Sequence, residues 1–214
     1  MGLNERLQNC YSSAVHDVMR AMGHHNCVLP YTLQPLVPGT RLAGEVWTFS
    51  GYIDHTADRH QTLLEWTRVL SRVPRGVIPV CQPHNPEIAL MGELSAQALL
   101  QRDVPGYIVD GGCRDVEMLI QYNFPVFRRF DTPSDIVGRW LPTRLGEPVT
   151  IGAVTITTGD YVLADRDGIV VIPRAIAEQV ITETEGKINT ESALRDAILA
   201  GEDPEQAYLK YRVF

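Results

Sequence analysis

GELSAQALLQRDVPGYIVDGGCRD, residues 92–115, decides how this chain is read. A glycine stands before Glu93-Leu94-Ser95, and Leu94, Ala98 and Leu99 then recur at helical spacing. Pro105-Gly106 interrupts that pattern, and Tyr107-Ile108-Val109-Asp110 follows as a short apolar run of the kind that forms a buried strand. The run ends in Gly111-Gly112, where glycine lets the backbone turn sharply or approach a ligand closely. It delivers Cys113, then Arg114 and Asp115, to the position beyond the carboxyl end of a strand where α/β sheets bind ligands. The start of the helix, Gly92 to Ser95, carries free N–H groups that attract a carboxylate or phosphate. An Arg guanidinium grips a carboxylate bidentately, and an Asp carboxylate ligates a hard divalent ion that keeps several waters. Side by side, the two suit a 2-oxo acid, whose carboxylate and keto oxygen must both be held.

Working outward, residues 7–22 read as one helix stopped by Gly23, and residues 29–39, with three prolines, as an extended connector. Residues 42–49 alternate as a strand, residues 60–72 have helical spacing, and residues 77–81 form another short apolar run. A helix over 116–122 and a strand over 125–130 follow, then strands over 149–156 and 161–172 with turns at 158–160 and 166–168. Residues 176–199 form a long helix that Gly201 would stop, and the tail from 202 to 214 is polar and aromatic. Alternating strands and helices, then β-rich sequence, then a helix, make the fold class α/β with a C-terminal helical extension. One domain over 1–214 is expected, with its core at about 10–175 and the helix and tail at 176–214.

Composition excludes several roles. Lys and Arg number 19 against 26 Asp and Glu, for a net charge of −7, and no basic block exceeds two residues. Nucleic acid is therefore not the expected partner. The four cysteines, Cys10, Cys27, Cys81 and Cys113, form no CxxC pair, so neither a zinc site nor a disulfide framework is expected. No basic segment followed by an apolar run opens the chain, and no apolar stretch is long enough to span a membrane. A cytoplasmic protein without a membrane partner is the expectation.

With these residues in view, the chain resembles the RraA-like family, which includes 4-hydroxy-4-methyl-2-oxoglutarate and 4-carboxy-4-hydroxy-2-oxoadipate aldolases. The resemblance rests on Gly92-Glu93-Leu94 and on Gly106 to Asp115, with an acidic residue, twenty intervening residues and then Arg-Asp. It extends to Leu36 to Gly39, Phe124 to Phe127, residues 149–168 and Val170 to Pro173. It implies a swivelling β/β/α domain assembled as a homotrimer or homohexamer. It also implies a lyase that releases pyruvate from 4-hydroxy-2-oxo acids with Mg²⁺ or Mn²⁺, and a side activity decarboxylating oxaloacetate. Arg114 would bind the pyruvyl part and stabilise its enolate, and Asp115 would ligate the metal, largely through water. The backbone of Gly92, Glu93, Leu94 and Ser95 would hold the substrate carboxylate. Glu93 stands where the family usually has Asp, which adds one methylene. A water activated by the metal would take the C4 hydroxyl proton, with Glu93 the nearest side-chain base. Glu191 would reach the metal's waters from a neighbouring subunit, with Glu183 and Glu185 as rivals. The family also implies two alternatives, a non-catalytic regulator of ribonuclease E and a lyase or hydrolase for another substrate. Retention of Arg114 and Asp115 favours the enzyme.

Other residues have plainer readings. The only lysines are Lys187 and Lys210, which disfavours Schiff-base chemistry. His55 and His60 are read as polar loop and helix-start residues that could alternatively tune specificity. Cys113 is read as a buried filler, Asp160, Asp165 and Asp167 as turn residues, and Asp17 as structural or interfacial.

Overall fold

The computed structural model describes residues 2–212. Two helices open the chain, α1 (Leu3–Gln8) and α2 (Ser12–Ala21), where one over 7–22 was expected. The break has a tertiary cause: the Asp165 carboxylate accepts from both the N–H and the hydroxyl of Ser12, at 2.8 and 2.6 Å, and so caps a fresh start. Strand β1 (Gln34–Pro35) interrupts the proline-rich connector. Strand β2 (Leu42–Ile53) is the longest in the fold, four residues longer than its alternating pattern suggested. Helix α3 (Arg59–Arg72) starts at Asp58, whose side chain accepts from the Gln61 N–H at 2.9 Å. Then come β3 (Ile78–Gln82), α4 (Glu93–Leu100), β4 (Tyr107–Val109), β5 (Gly112–Cys113) and α5 (Val116–Gln121).

The single strand expected at 125–130 is two, β6 (Val126–Arg128) and β7 (Phe130–Asp131), because the second piece leaves the main sheet to pair with β5. Strand β8 (Trp140–Leu145) was not expected from the sequence; Pro142 and Arg144 mask it. The hairpins β9 (Val149–Ile151) with β10 (Val154–Ile156), and β11 (Tyr161–Ala164) with β12 (Ile169–Ile172), follow. The long helix is α6 (Ala177–Leu199), entered through one 3₁₀ turn. The tail contains α7 (Pro204–Tyr211), capped by the Asp203 side chain. Met1, Val213 and Phe214 lie outside the described residues. Among the described residues no helix is long and apolar enough to cross a membrane.

The main sheet runs β1-β6-β4-β3-β2-β11-β12, with β8 also on β2. Strands β2, β3, β4 and β6 are mutually parallel, and β11 and β8 pair antiparallel with the two halves of β2. Side chains alternate across these strands. Trp47, Phe49, Cys81, Tyr107 and Val109 pack beneath α3, α4 and α5, while Val46, Ile78, Val80 and Ile108 join the core of the β9–β12 hairpins. A third cluster seats α1, α2 and the first half of α6 on the outer face of β12. The fold class is therefore α/β with a C-terminal helical extension, as expected.

The candidate active site

Strand β4 ends at Val109, and the chain continues through Gly111 and β5 to Arg114. This loop is pinned on both sides. The Gly112 carbonyl accepts from Leu90 N–H at 2.9 Å, Arg114 N–H donates to Met91 O at 2.9 Å, and Cys113 O accepts from Thr132 N–H at 2.9 Å. Gly112 is required by close approach: a Cβ there would lie 2.5 Å from the Phe130 ring and 3.0 Å from Ile88 O. The sharp bend itself falls on Asp115, with φ 54° and ψ 37°, and not on the glycine pair. A non-glycine residue in that region is costly and is held by its surroundings, a pattern concentrated at functional sites.

Asp115 faces the start of α4. Its Oδ2 accepts from the Glu93 N–H at 3.0 Å and lies 3.6 Å from Arg114 Nε. Its Oδ1 makes no hydrogen bond with the described residues. Gly92 makes this approach possible, because a Cβ there would stand 2.7 Å from Asp115 Oδ2. The Leu94 and Ser95 N–H groups, next in the first turn, have no protein acceptor among the described residues. Thus, of the Glu93, Leu94 and Ser95 amides in the first turn, the first already holds Asp115 and the other two remain. The Glu93 side chain accepts from the Tyr122 hydroxyl at 2.8 Å, and that bond raises the tyrosine's pKa.

Arg114 has a partner that the sequence did not suggest. Asp135 Oδ2 lies 3.0 Å from Arg114 Nη1, and the Asp135 backbone and side chain also organise the 134–139 loop. Only an acidic residue in a loop, distant in sequence, marked it. The four charged groups, Glu93, Arg114, Asp115 and Asp135, line a cleft of 540 Å³ together with residues of α3, α4 and the 135–137 loop. The Trp66 indole N–H donates to Ser95 Oγ at 2.9 Å and joins the two helices there. Arg114 and Asp115 also line a smaller cleft of 340 Å³ with Cys113, Asp131 and Thr132.

The remaining candidates lie elsewhere. Glu191 does not line either cleft of its own chain: Lys187 Nζ is 3.0 Å away, and the Tyr11 hydroxyl donates to it. Glu185 pairs with Arg6 at 2.6 Å, and Glu183 accepts from Gln179 at 2.8 Å. His55 and His60 are exposed and line neither cleft. The Cys113 thiol donates to Asp131 at 3.2 Å, and burial followed by that bond pushes its pKa up to about 12, which fits a filler and not a nucleophile. Asp160 accepts from the Thr157 and Arg174 N–H groups, Asp165 caps α2, and Asp17 pairs with Arg20 and Lys187.

A family model for RraA-like proteins, described as Aldolase/RraA, matches residues 12–171. The chain is 28% identical to protein DlpA of Legionella pneumophila subsp. pneumophila over 98% of its own length and 34% of that protein's. It is 32% identical, over 50% of each chain, to a Halalkalibacterium halodurans protein provisionally named 4-hydroxy-4-methyl-2-oxoglutarate aldolase. The chain thus spans between a third and a half of the length of these relatives. Among solved structures, Streptomyces coelicolor RraAS2, described as an unusual member of the RNase ES inhibitor RraA protein family, superposes with a TM-score of 0.79. It is 24% identical and covers 90% of this chain and 95% of that one, a likeness of fold.

Proposed function

The chain belongs to the RraA-like family, and from that premise we propose that it is a divalent-metal-dependent lyase that cleaves 4-hydroxy-2-oxo acids to release pyruvate. Decarboxylation of oxaloacetate is proposed as a side activity, because loss of CO₂ there yields the same enolate. The observation that carries this reading is the placement of Arg114 and Asp115 together on one cleft, beside two free amides at the start of α4. The same pair favours an enzyme over a non-catalytic regulator.

The donors fit a hard ion. Asp115 offers an uncommitted oxygen, and Mg²⁺ or Mn²⁺ is typically held by one or two carboxylates with waters and substrate completing the shell. Among the described residues no group of three His, Cys, Asp or Glu side chains is arranged to cage a metal, so Asp115 would hold the ion with water and substrate. When bound, the ion would polarise the 2-oxo group as a Lewis acid.

The chain's own residues supply the rest. Arg114, held by Asp135, would clamp the substrate carboxylate and oppose the negative charge that develops on the departing enolate. The Leu94 and Ser95 amides would take a carboxylate oxygen at the positive end of α4. Glu93, steadied by Tyr122, would accept the C4 hydroxyl proton directly or through a water. No lysine lines the cleft, which argues against a Schiff base. A homotrimer or homohexamer would be needed for α6 of one subunit to bring Glu191 to its neighbour's cleft.

The test follows pyruvate release from 4-hydroxy-4-methyl-2-oxoglutarate and oxaloacetate with Mg²⁺, Mn²⁺ or EDTA. Release should stop with EDTA and fall by about 10²–10³-fold in Asp115→Ala, the scale of removing one electrostatic stabiliser. Metal-independent release, or an Asp115→Ala enzyme as active as wild type, would sink the proposal.

A further inference from the structure

The lining of the 540 Å³ cleft is of two kinds. Its charged groups are Arg114 and three carboxylates, those of Glu93, Asp115 and Asp135. The wall contributed by α3 carries no charge, and the larger apolar side chains of the cleft are Leu63, Trp66, Leu70, Leu94, Ile136 and Val137. Arg114 is the one cation lining the cleft among the described residues, and it already faces Asp135 at 3.0 Å and Asp115 at 3.6 Å. Arg139, nearby on the same loop as Asp135, is turned to the Ser134 hydroxyl and the Asp135 carbonyl, each at 2.8 Å. The Thr67 hydroxyl donates to Leu64 O within its own helix at 2.9 Å, which leaves Ser95 as the single neutral hydroxyl donor on that wall.

A carboxylate brought to such a wall would shed part of its water and gain no cation, which is unfavourable. An alkyl or aryl group brought there would gain by burial. We propose that the distal substituent of the substrate is apolar: a 4-hydroxy-2-oxo acid whose C4 carries a branched alkyl or aryl group in place of a second carboxylate. This rests on the lyase reading above. In the reaction the C3–C4 bond breaks, and its electron pair passes into the pyruvate enolate. The C4 hydroxyl proton goes to the base, C4 becomes an aldehyde carbonyl, and C3 takes up a proton to give pyruvate. No redox partner is needed.

Two isosteric pairs test the proposal. In the first, 5-methyl-2-oxohexanoate and 2-oxoglutarate cannot undergo the cleavage and differ by an isopropyl group in place of a carboxylate. Their binding to the full chain with Mg²⁺ is measured by calorimetry. The second pair, 4-hydroxy-5-methyl-2-oxohexanoate and 4-hydroxy-2-oxoglutarate, reports cleavage through pyruvate. The isopropyl member should win by about 10–200-fold in both assays, the range for apolar-pocket discrimination. Leu63→Arg, at a position 46% exposed and therefore tolerant of the change, should narrow or reverse the preference. Preference for the dicarboxylates in both assays would overturn the inference and leave the lyase reading intact. Tighter binding of the isopropyl analogue without pyruvate from either hydroxy acid would support the apolar wall and remove the lyase reading. Failure of both analogues to bind would overturn the inference outright.

Discussion

Replacing Gly92 by alanine should disable the site while sparing the fold. At φ −158° and ψ −176° the Gly92 backbone is extended, which alanine adopts without strain. The difficulty is entirely in the new methyl group, which would sit 2.7 Å from Asp115 Oδ2 and 3.1 Å from Arg114 Cγ. To reach the 3.4 Å of ordinary contact, the carboxylate must retreat by about 0.7 Å. Its bond to the Glu93 N–H, now 3.0 Å, would then be lost. A hydrogen bond to a charged group contributes about 1.5–3 kcal/mol. If that energy serves to place Asp115, kcat/KM should fall by about 10- to 150-fold. The Arg114 and Asp115 side chains are 39% and 38% exposed, so they can swing outward, and stability should change by less than about 1 kcal/mol. Three measurements decide: thermal unfolding, Mn²⁺ affinity by electron paramagnetic resonance, and pyruvate release. Activity within about twofold of wild type, at unchanged stability, would show that the position of Asp115 Oδ2 does not matter. A collapse in stability would show instead that the contact is structural.

Two further predictions concern groups outside the Arg-Asp pair. Asp135→Asn removes the charge that aligns Arg114, and kcat/KM should drop by about tenfold, mainly through KM; an unchanged KM would refute the alignment role. Arg6 hydrogen-bonds Glu185 through Nε and Nη2 and holds its carboxyl below the usual value of 4.5. A depressed pKa contributes stability that is complete above the unfolded value and is lost as pH falls through the folded one. The Tm advantage of wild type over Glu185→Gln should therefore be constant near neutrality and shrink below about pH 4.5, and a gap that does not change with pH would refute it.

The site was legible where its signals are local. Gly92, the helix start at Glu93, the strand at Tyr107 and the Arg-Asp pair all lie within one stretch, and their roles follow from neighbours in sequence. Asp135 was not legible, because only the packing of its loop brings it to Arg114. The same holds for the start of α2, whose cap, Asp165, comes from the turn between β11 and β12. Strand β8 escaped because it pairs only with β2 and carries a proline, as edge strands tolerate. Helix α7 was a different case: Asp203-Pro204 is a cap followed by a first-turn proline, so the signal was present in the sequence.

Strand β2 also shapes how the protein is made. It leaves the ribosome well before its partner, because Leu42 to Glu45 pair with Ala164 to Tyr161, more than a hundred residues later in the chain. Until that hairpin is translated, the first half of β2 presents unpaired N–H and C=O groups along an apolar edge. Partners so distant in sequence make for slow folding and expose the nascent chain to association with its own copies. Truncation before Tyr161 therefore removes more than two strands: it leaves open the edge of the strand on which the rest of the sheet is built.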